Sequence, residues 1–169
     1  TPSPVVLAFH GFSGSATSMA ATKFHDYWPD ATVVYPQGLP TMSTRYHREV
    51  PAWQPEPGRD EDRDVAFIDA LLADLRATLQ VDDRRIYVTG ISNGGMFAYI
   101  LLVERPQIFA AFAPVAAAVS FVTRATVPRP LLIIQGKTDT TVPASAAMAT
   151  RDILRTLNGC GTDEEAWAP

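Results

Sequence analysis

Apolar residues come in two rhythms along this chain: short unbroken runs, and stripes at steps of three and four. Val5-Val6-Leu7-Ala8-Phe9 is unbroken and ends at His10-Gly11, which predicts a strand buried on both faces. Thr32-Val33-Val34-Tyr35 predicts a second buried strand, stopped by Pro36, and Arg85-Ile86-Tyr87-Val88-Thr89 a third. Leu131-Leu132-Ile133-Ile134-Gln135 predicts another, ended by Gly136. Between them lies the helical rhythm. Val65, Ile68, Leu72, Leu75 and Leu79 form one stripe over 64–79, after an acidic start at Asp60, Glu61, Asp62 and Asp64 that suits a helix N-terminus. Helices are also predicted over 15–27, from Gly95 to Leu102, and over 143–157, the last stopping at Asn158-Gly159. Residues 112–119 read as strand, with the alanines keeping helix open. Residues 36–63, punctuated by Pro40, Pro51, Pro55, Pro57 and Gly58, read as a long loop, and a loop of that length inside a compact domain is usually functional.

Buried strands alternating with helices give a parallel sheet with helices on both faces. The fold class is α/β, and the 169 residues form a single domain without repeat or linker. A formal charge of −4, with no basic stretch interleaved with aromatics, argues against a nucleic-acid partner. The longest apolar run, 108–119, is too short for a membrane span and contains Pro114. Cys160 is the one cysteine, either a quiet thiol or half of a bridge to residues outside this sequence. Asp60-x-Asp62-x-Asp64 mimics the opening of a calcium loop. Val65 stands where that motif needs glycine and Leu71 where it needs glutamate, so an acidic helix start is the better reading. No spacing of histidines or cysteines calls for a metal, and no cofactor is expected.

The chemistry gathers at three predicted strand ends, which in a parallel sheet converge at one edge. Gly90-Ile91-Ser92-Asn93-Gly94 is a G-x-S-x-G pentapeptide between a strand and a helix, the context in which such a serine is lifted out of the sheet on a sharp turn. Ser92 would be the nucleophile. The main-chain N–H groups of Phe12 and Asn93 would form an oxyanion hole, and Asp139, after Gly136, would orient an imidazole. His10 reads as shaping the turn that presents Phe12. Trp53, in the long loop, either lines a substrate pocket, with His10, or pins the loop to the core. The general base is the gap in the pattern. The chain holds His10, His25 and His47, and none follows Asp139, where the order Ser, Asp, His requires it. His47 stands in the long loop, within conceivable reach of the site; His25 reads as a surface or packing residue.

Several segments together resemble the polyhydroxybutyrate depolymerase and feruloyl esterase group of α/β-hydrolases, mostly secreted bacterial and fungal enzymes. They are Val5 to Phe12, Val34-Tyr35-Pro36-Gln37-Gly38, Trp53, Asp64 to Ile68, Asp82 to Gly95, Phe109 to Val115 and Asn158-Gly159-Cys160. The resemblance implies an α/β-hydrolase core with Ser92 as nucleophile, Asp139 as triad acid and Phe12 and Asn93 as oxyanion donors. It implies ester substrates, small or polymeric, and does not set an oligomeric state. It also implies strands before Val5, a final strand carrying the histidine, and a partner for Cys160, so that these residues would be the central portion of a longer enzyme. Two alternatives remain open at this point: a non-catalytic binding protein on the same fold, and a piece that needs a second segment to supply the histidine.

Overall fold

The computed structural model describes residues 1–43, 46–161 and 163. Four parallel strands make the main sheet in the order β2-β1-β5-β6. They are β1 (Ser3–Phe9), β2 (Thr32–Val34), β5 (Val81–Ile91) and β6 (Ala111–Val115). The run at 131–135 continues this order beside β6 without forming a full strand: it makes isolated bridges at Phe112–Leu131 and Val115–Ile134. Its backbone bonds are nonetheless those of a parallel neighbour, with Leu132 N–H donating to Phe112 O (2.9 Å) and Ala116 N–H to Ile134 O (2.8 Å). The strand reading of 112–119 holds for its first part only, since β6 ends at Val115 and Ala116 turns away at φ 48°.

The chain moves from β1 to one side for β2, then crosses to the other side for β5. The order therefore reverses beside β1, and the crevice beyond the carboxyl ends of β1 and β5 is the switch point where parallel α/β sheets bind ligands. One sheet face is sealed. Val5, Leu7, Phe9, Ile86, Val88 and Phe112 join a single core with Val65, Ile68 and Leu72 of α3 (Arg63–Thr78) and with Phe97 to Leu102 of α4 (Asn93–Glu104). Helix α4 is apolar nearly all round because it is covered nearly all round, its residues 97–102 being at most 1% exposed. Arg105, at its end, grips Asp69 of α3 through Nε (3.0 Å) and Nη2 (2.8 Å). On the opposite face Val6, Trp28, Tyr87, Ala113 and Leu132 line an apolar groove of about 400 Å³. The last helix, α5 (Ala144–Leu157), packs against the short 3₁₀ turn Phe121–Arg124.

Two further predicted elements differ from those observed. The single helix expected over 15–27 is two short ones, α1 (Ala16–Ala20) and α2 (Phe24–Tyr27), because Lys23 between them takes a left-handed conformation at φ 56°. The long loop is not structureless. Pro40–Ser43 (β3) and Arg48–Pro51 (β4) pair as an antiparallel hairpin with the prolines opposite each other at its base. A 3₁₀ turn, Arg59–Asp62, then leads into α3, with Asp60, Glu61 and Asp62 all at φ between 50° and 57°. Among the described residues no helix is long and apolar enough to cross a membrane.

Candidate active site

Ser92 joins β5 to α4 in a single residue, at φ 53° and ψ −118°. No L-residue adopts that conformation freely, and strain of this kind amounts to about 1–3 kcal/mol. Both of its backbone groups are fixed: its N–H donates to Val115 O (2.9 Å), and its carbonyl accepts the first helical bond, from Met96 N–H (2.8 Å). Asn93, Gly94 and Gly95 thus open α4 with N–H groups that have no intrahelical acceptor, and that of Asn93 follows the serine directly. The pentapeptide's glycines are required by contact. A Cβ on Gly94 would lie 2.5 Å from both Phe9 O and His10 O, and one on Gly90 would lie 2.5 Å from Gly94 O. We expect Gly94→Ala to destabilise the fold by about 3 kcal/mol, the upper end for overpacking, because the obstructing atoms are backbone and cannot rotate away. Urea unfolding of the two proteins measures this, and an unchanged midpoint would mean that the space exists after all.

Facing the elbow is the exit of β1. A Cβ on Gly11 would be 3.7 Å from the Ser92 Cβ, so the two turns are in contact. The chain bends there through Gly14 N–H to Gly11 O (3.0 Å), with Ser13 at φ 59° donating to Pro51 O (2.9 Å). In between, Phe12 N–H has no acceptor among the described residues. Its ring is exposed and stacks on Tyr46 of the hairpin (centroids 6.0 Å apart, planes at 22°).

Asp139 sits on the other flank, five residues beyond the Ile134 that pairs with β6. Its Oδ1 accepts from Thr141 N–H (2.8 Å) and Val142 N–H (3.0 Å), while Oδ2 accepts one longer bond from Gln135 Nε2 (3.2 Å). The main-chain N–H groups of Val142 and Thr141, helped by Gln135, hold this carboxyl below its ordinary value. It is therefore a carboxylate at neutral pH, fixed through one oxygen and with acceptor capacity left on the other.

The histidines are placed elsewhere. His10 is 1% exposed. Its Nε2 accepts from Gly38 N–H (2.9 Å) and its Nδ1 lies 2.8 Å from Gly11 O, a bonding pattern that assigns a neutral ring protonated at Nδ1. It joins the turn after β1 to Gly38, with both ring nitrogens engaged. His25 bonds Tyr35 Oη through Nδ1 (2.9 Å) and is exposed. His47 is at the hairpin tip, beside the Tyr46 that stacks on Phe12. That is the β1 side of Ser92, and Asp139 stands beyond β6 on the other side.

Trp53 is likewise 1% exposed. Its ring is stacked on Phe97 (5.1 Å, 11°) and edge-on to Phe9 (4.9 Å), and its indole N–H donates to His10 O (3.0 Å). Its ring lies in the core beside the equally buried His10, at a centroid distance of 5.2 Å. The side chain of Asn93 is a feature the sequence did not reveal: Oδ1 accepts Trp53 N–H (2.8 Å) and Nδ2 donates to Trp53 O (3.0 Å). Nor did it reveal why the helix start is acidic. Asp64, 1% exposed, accepts Gln54 N–H (2.6 Å), and Asp62 accepts Gln54 Nε2 (2.7 Å). Burial raises the Asp64 carboxyl above its ordinary value, against the opposing pull of the Gln54 N–H and Arg63. Asp64 fastens the loop to α3 and Asp62 closes the loop on itself, and no group of three or more metal-binding side chains occurs among the described residues.

A parallel sheet, a strained serine between the central strand and a buried helix, and an acid beyond β6 define the α/β-hydrolase class. By the match of residues 32–127 to its model, the chain belongs to the prolyl oligopeptidase family. Among curated relatives, it is 33% identical over 142 residues to the putative esterase NocK of Nocardia uniformis subsp. tsuyamanensis, covering 80% of this chain and 40% of that protein. It is 30% identical over 122 residues to poly(3-hydroxyalkanoate) depolymerase C of Paucimonas lemoignei, covering 67% of this chain and 27% of that one. The chain thus spans less than half the length of these relatives. Among solved structures, SOBER1 of Arabidopsis thaliana superposes with a TM-score of 0.75 over 92% of this chain and 84% of that one, at 16% identity, and so shares the fold. The fold and the resemblance read from the sequence are both borne out.

Proposed function

We propose that the chain carries the nucleophilic half of a serine carboxylic-ester hydrolase. The observation that carries this reading is Ser92, held at φ 53° on the one-residue turn from β5 to α4, with the Gly11 turn that precedes Phe12 packed against its Cβ. In this mechanism Ser92 Oγ attacks the ester carbonyl and its proton passes to an imidazole oriented by Asp139. The carbonyl oxygen takes up negative charge against the Phe12 and Asn93 N–H groups. The tetrahedral intermediate collapses, the C–O bond to the alcohol breaks, and the imidazolium returns the proton to the departing oxygen. Water, deprotonated by the same imidazole, then attacks the acyl carbon, the bond to Ser92 Oγ breaks, and the imidazolium returns the proton to Oγ as the acid leaves. His10 is bonded on both ring nitrogens, His25 is bonded to Tyr35, and His47 is at the hairpin tip on the β1 side, so in this reading the imidazole comes from another segment, of a longer chain or a partner.

Substrates in keeping with the resemblance are short acyl esters, hydroxyacyl polyesters, and feruloyl or acetyl groups on polysaccharide. An exposed aromatic pair, Phe12 and Tyr46, at the mouth suits an apolar or ring-bearing acyl group. Secretion is part of the same reading, by resemblance to a mostly secreted group. The competing reading is a binding protein that keeps the fold without turnover, favoured by the displaced histidines. A fluorophosphonate probe decides between them. Applied to the full natural protein, it should form an adduct that maps to Ser92 by peptide mass. Full-length protein that is folded and acquires no adduct would overturn the hydrolase in favour of the binding protein.

A further inference from the structure

The two oxyanion donors belong to different elements, Phe12 to the exit of β1 and Asn93 to the first turn of α4. The ladder between β1 and β5 ends at Phe9–Gly90, so no strand pairing fixes one donor against the other. A developing oxyanion needs both at about 2.7–3.1 Å, and a misplacement of about 1 Å costs on the order of 10²-fold. Residues 51–53 span this gap. Pro51 O accepts the N–H of Ser13, just after Phe12, and Trp53 Nε1 donates to the carbonyl of His10, just before Gly11. The main chain of Trp53 then closes two hydrogen bonds with the Asn93 side chain. The Trp53 ring repeats the connection by packing, wedged between Phe9, which precedes the first donor, and Phe97, which follows the second. The segment is itself anchored, since Gln54 N–H bonds to the buried Asp64 of α3.

We infer that Trp53 and the side chain of Asn93 are positioning residues, a brace that sets the separation of the Phe12 and Asn93 N–H groups and so tunes the oxyanion hole. The inference rests on the hydrolase reading above, and it assigns the hairpin loop a catalytic purpose distinct from substrate contact. Both bonds to Asn93 are buried, the residue being 9% exposed and Trp53 1%, so water does not compete for them. Ground-state ester binding makes little use of the hole, whereas the tetrahedral state depends on it. A loosened brace therefore lowers kcat and leaves KM alone.

The test uses the full natural protein with p-nitrophenyl acetate as substrate and phenylboronic acid as a tetrahedral mimic on Ser92. Asn93→Ala keeps the main-chain donor and removes only the brace. It should lower kcat by about 10- to 100-fold, hold KM within about twofold, and weaken the boronic acid by the same factor as kcat. Unchanged kcat, or a loss that falls on KM, overturns the brace. Should Asn93→Ala fail to fold by near-ultraviolet circular dichroism, Trp53→Phe replaces it, since phenylalanine keeps the stacked ring and the main-chain bonds while deleting the N–H to His10 O. That variant should lose about 3- to 10-fold in kcat at constant KM, again mirrored in boronic acid affinity, and equality with the wild type overturns the brace. The hydrolase reading fails in a different way: wild-type protein would show no turnover that Ser92→Ala removes.

Discussion

Replacing Ser92 by glycine should abolish turnover and make the protein more stable at once. The loss follows from the nucleophile: removing it in a hydrolase built this way lowers kcat by about 10⁴–10⁶-fold, the remainder reflecting binding and the oxyanion hole. The gain follows from the backbone. Ser92 is held at φ 53° and ψ −118° by the bonds to Val115 O and from Met96 N–H, a conformation that costs about 1–3 kcal/mol with a side chain present. Glycine adopts it freely, at the expense of about 0.5–1 kcal/mol more chain entropy lost on folding. The net is about 1 kcal/mol of stabilisation, or roughly 2–4 °C in Tm for a domain of this size. Ser92→Ala serves as the control, since alanine keeps the strain and gains nothing. Calorimetry with a p-nitrophenyl acetate assay reads both effects. A Ser92→Gly protein no more stable than Ser92→Ala would refute the strain, and one that still turns over would refute the nucleophile.

The sharp turn at Ser92 was legible at the level of the pentapeptide because its cause is local. Gly90 and Gly94 are required by atoms within a few residues of the elbow or on the strand beside it, and a strand followed by a helix is visible in the apolar rhythm. The same holds for β1 and for α3, whose period of three and four places Val65, Ile68 and Leu72 in the core within one residue of the expected bounds. What stayed hidden depends on partners distant in sequence. Trp53 and Asn93 are forty residues apart, and nothing in either neighbourhood announces a hydrogen-bonded pair. The β3–β4 hairpin escaped because Pro40 and Pro51, ordinarily strand breakers, sit opposite each other at its base. Lys23 split a predicted helix by adopting φ 56°, which composition does not forbid and propensity does not foresee.

The hairpin loop then changes meaning. Read from sequence, residues 36–63 are a loop free to shape a pocket. In the fold they are tied to the exit of β1 through Ser13 and His10, to α4 by Asn93, and to α3 by Asp64. In the proposed brace, a segment so fastened transmits rigidity to the Phe12 and Asn93 N–H groups that it borders. Its exposed tip, with Tyr46 on Phe12, is left as the part able to meet substrate.

Asp139→Asn tests the remaining flank of the site and should lower kcat by about 10⁴-fold, as loss of the orienting charge does in hydrolases with this constellation. Asparagine is the informative replacement because its carbonyl oxygen can still accept from Thr141 and Val142, which preserves the turn. What changes is the second oxygen. An amide there offers a donor where an imidazole N–H needs an acceptor, so the wrong tautomer is favoured and the imidazolium loses its counter-charge. The same bonds set a pH signature. Because the carboxyl of Asp139 is held below its ordinary value, it contributes stability that is fully present above about pH 4 and is lost as pH falls through its lowered value. Asp139→Asn should therefore flatten the acid limb of the stability curve while removing activity at neutral pH, where the fold is intact. Kinetics of the full natural protein, with urea midpoints from pH 3 to pH 7, separate the two effects. A variant that keeps kcat within about tenfold would show that the acid of the triad is a different residue.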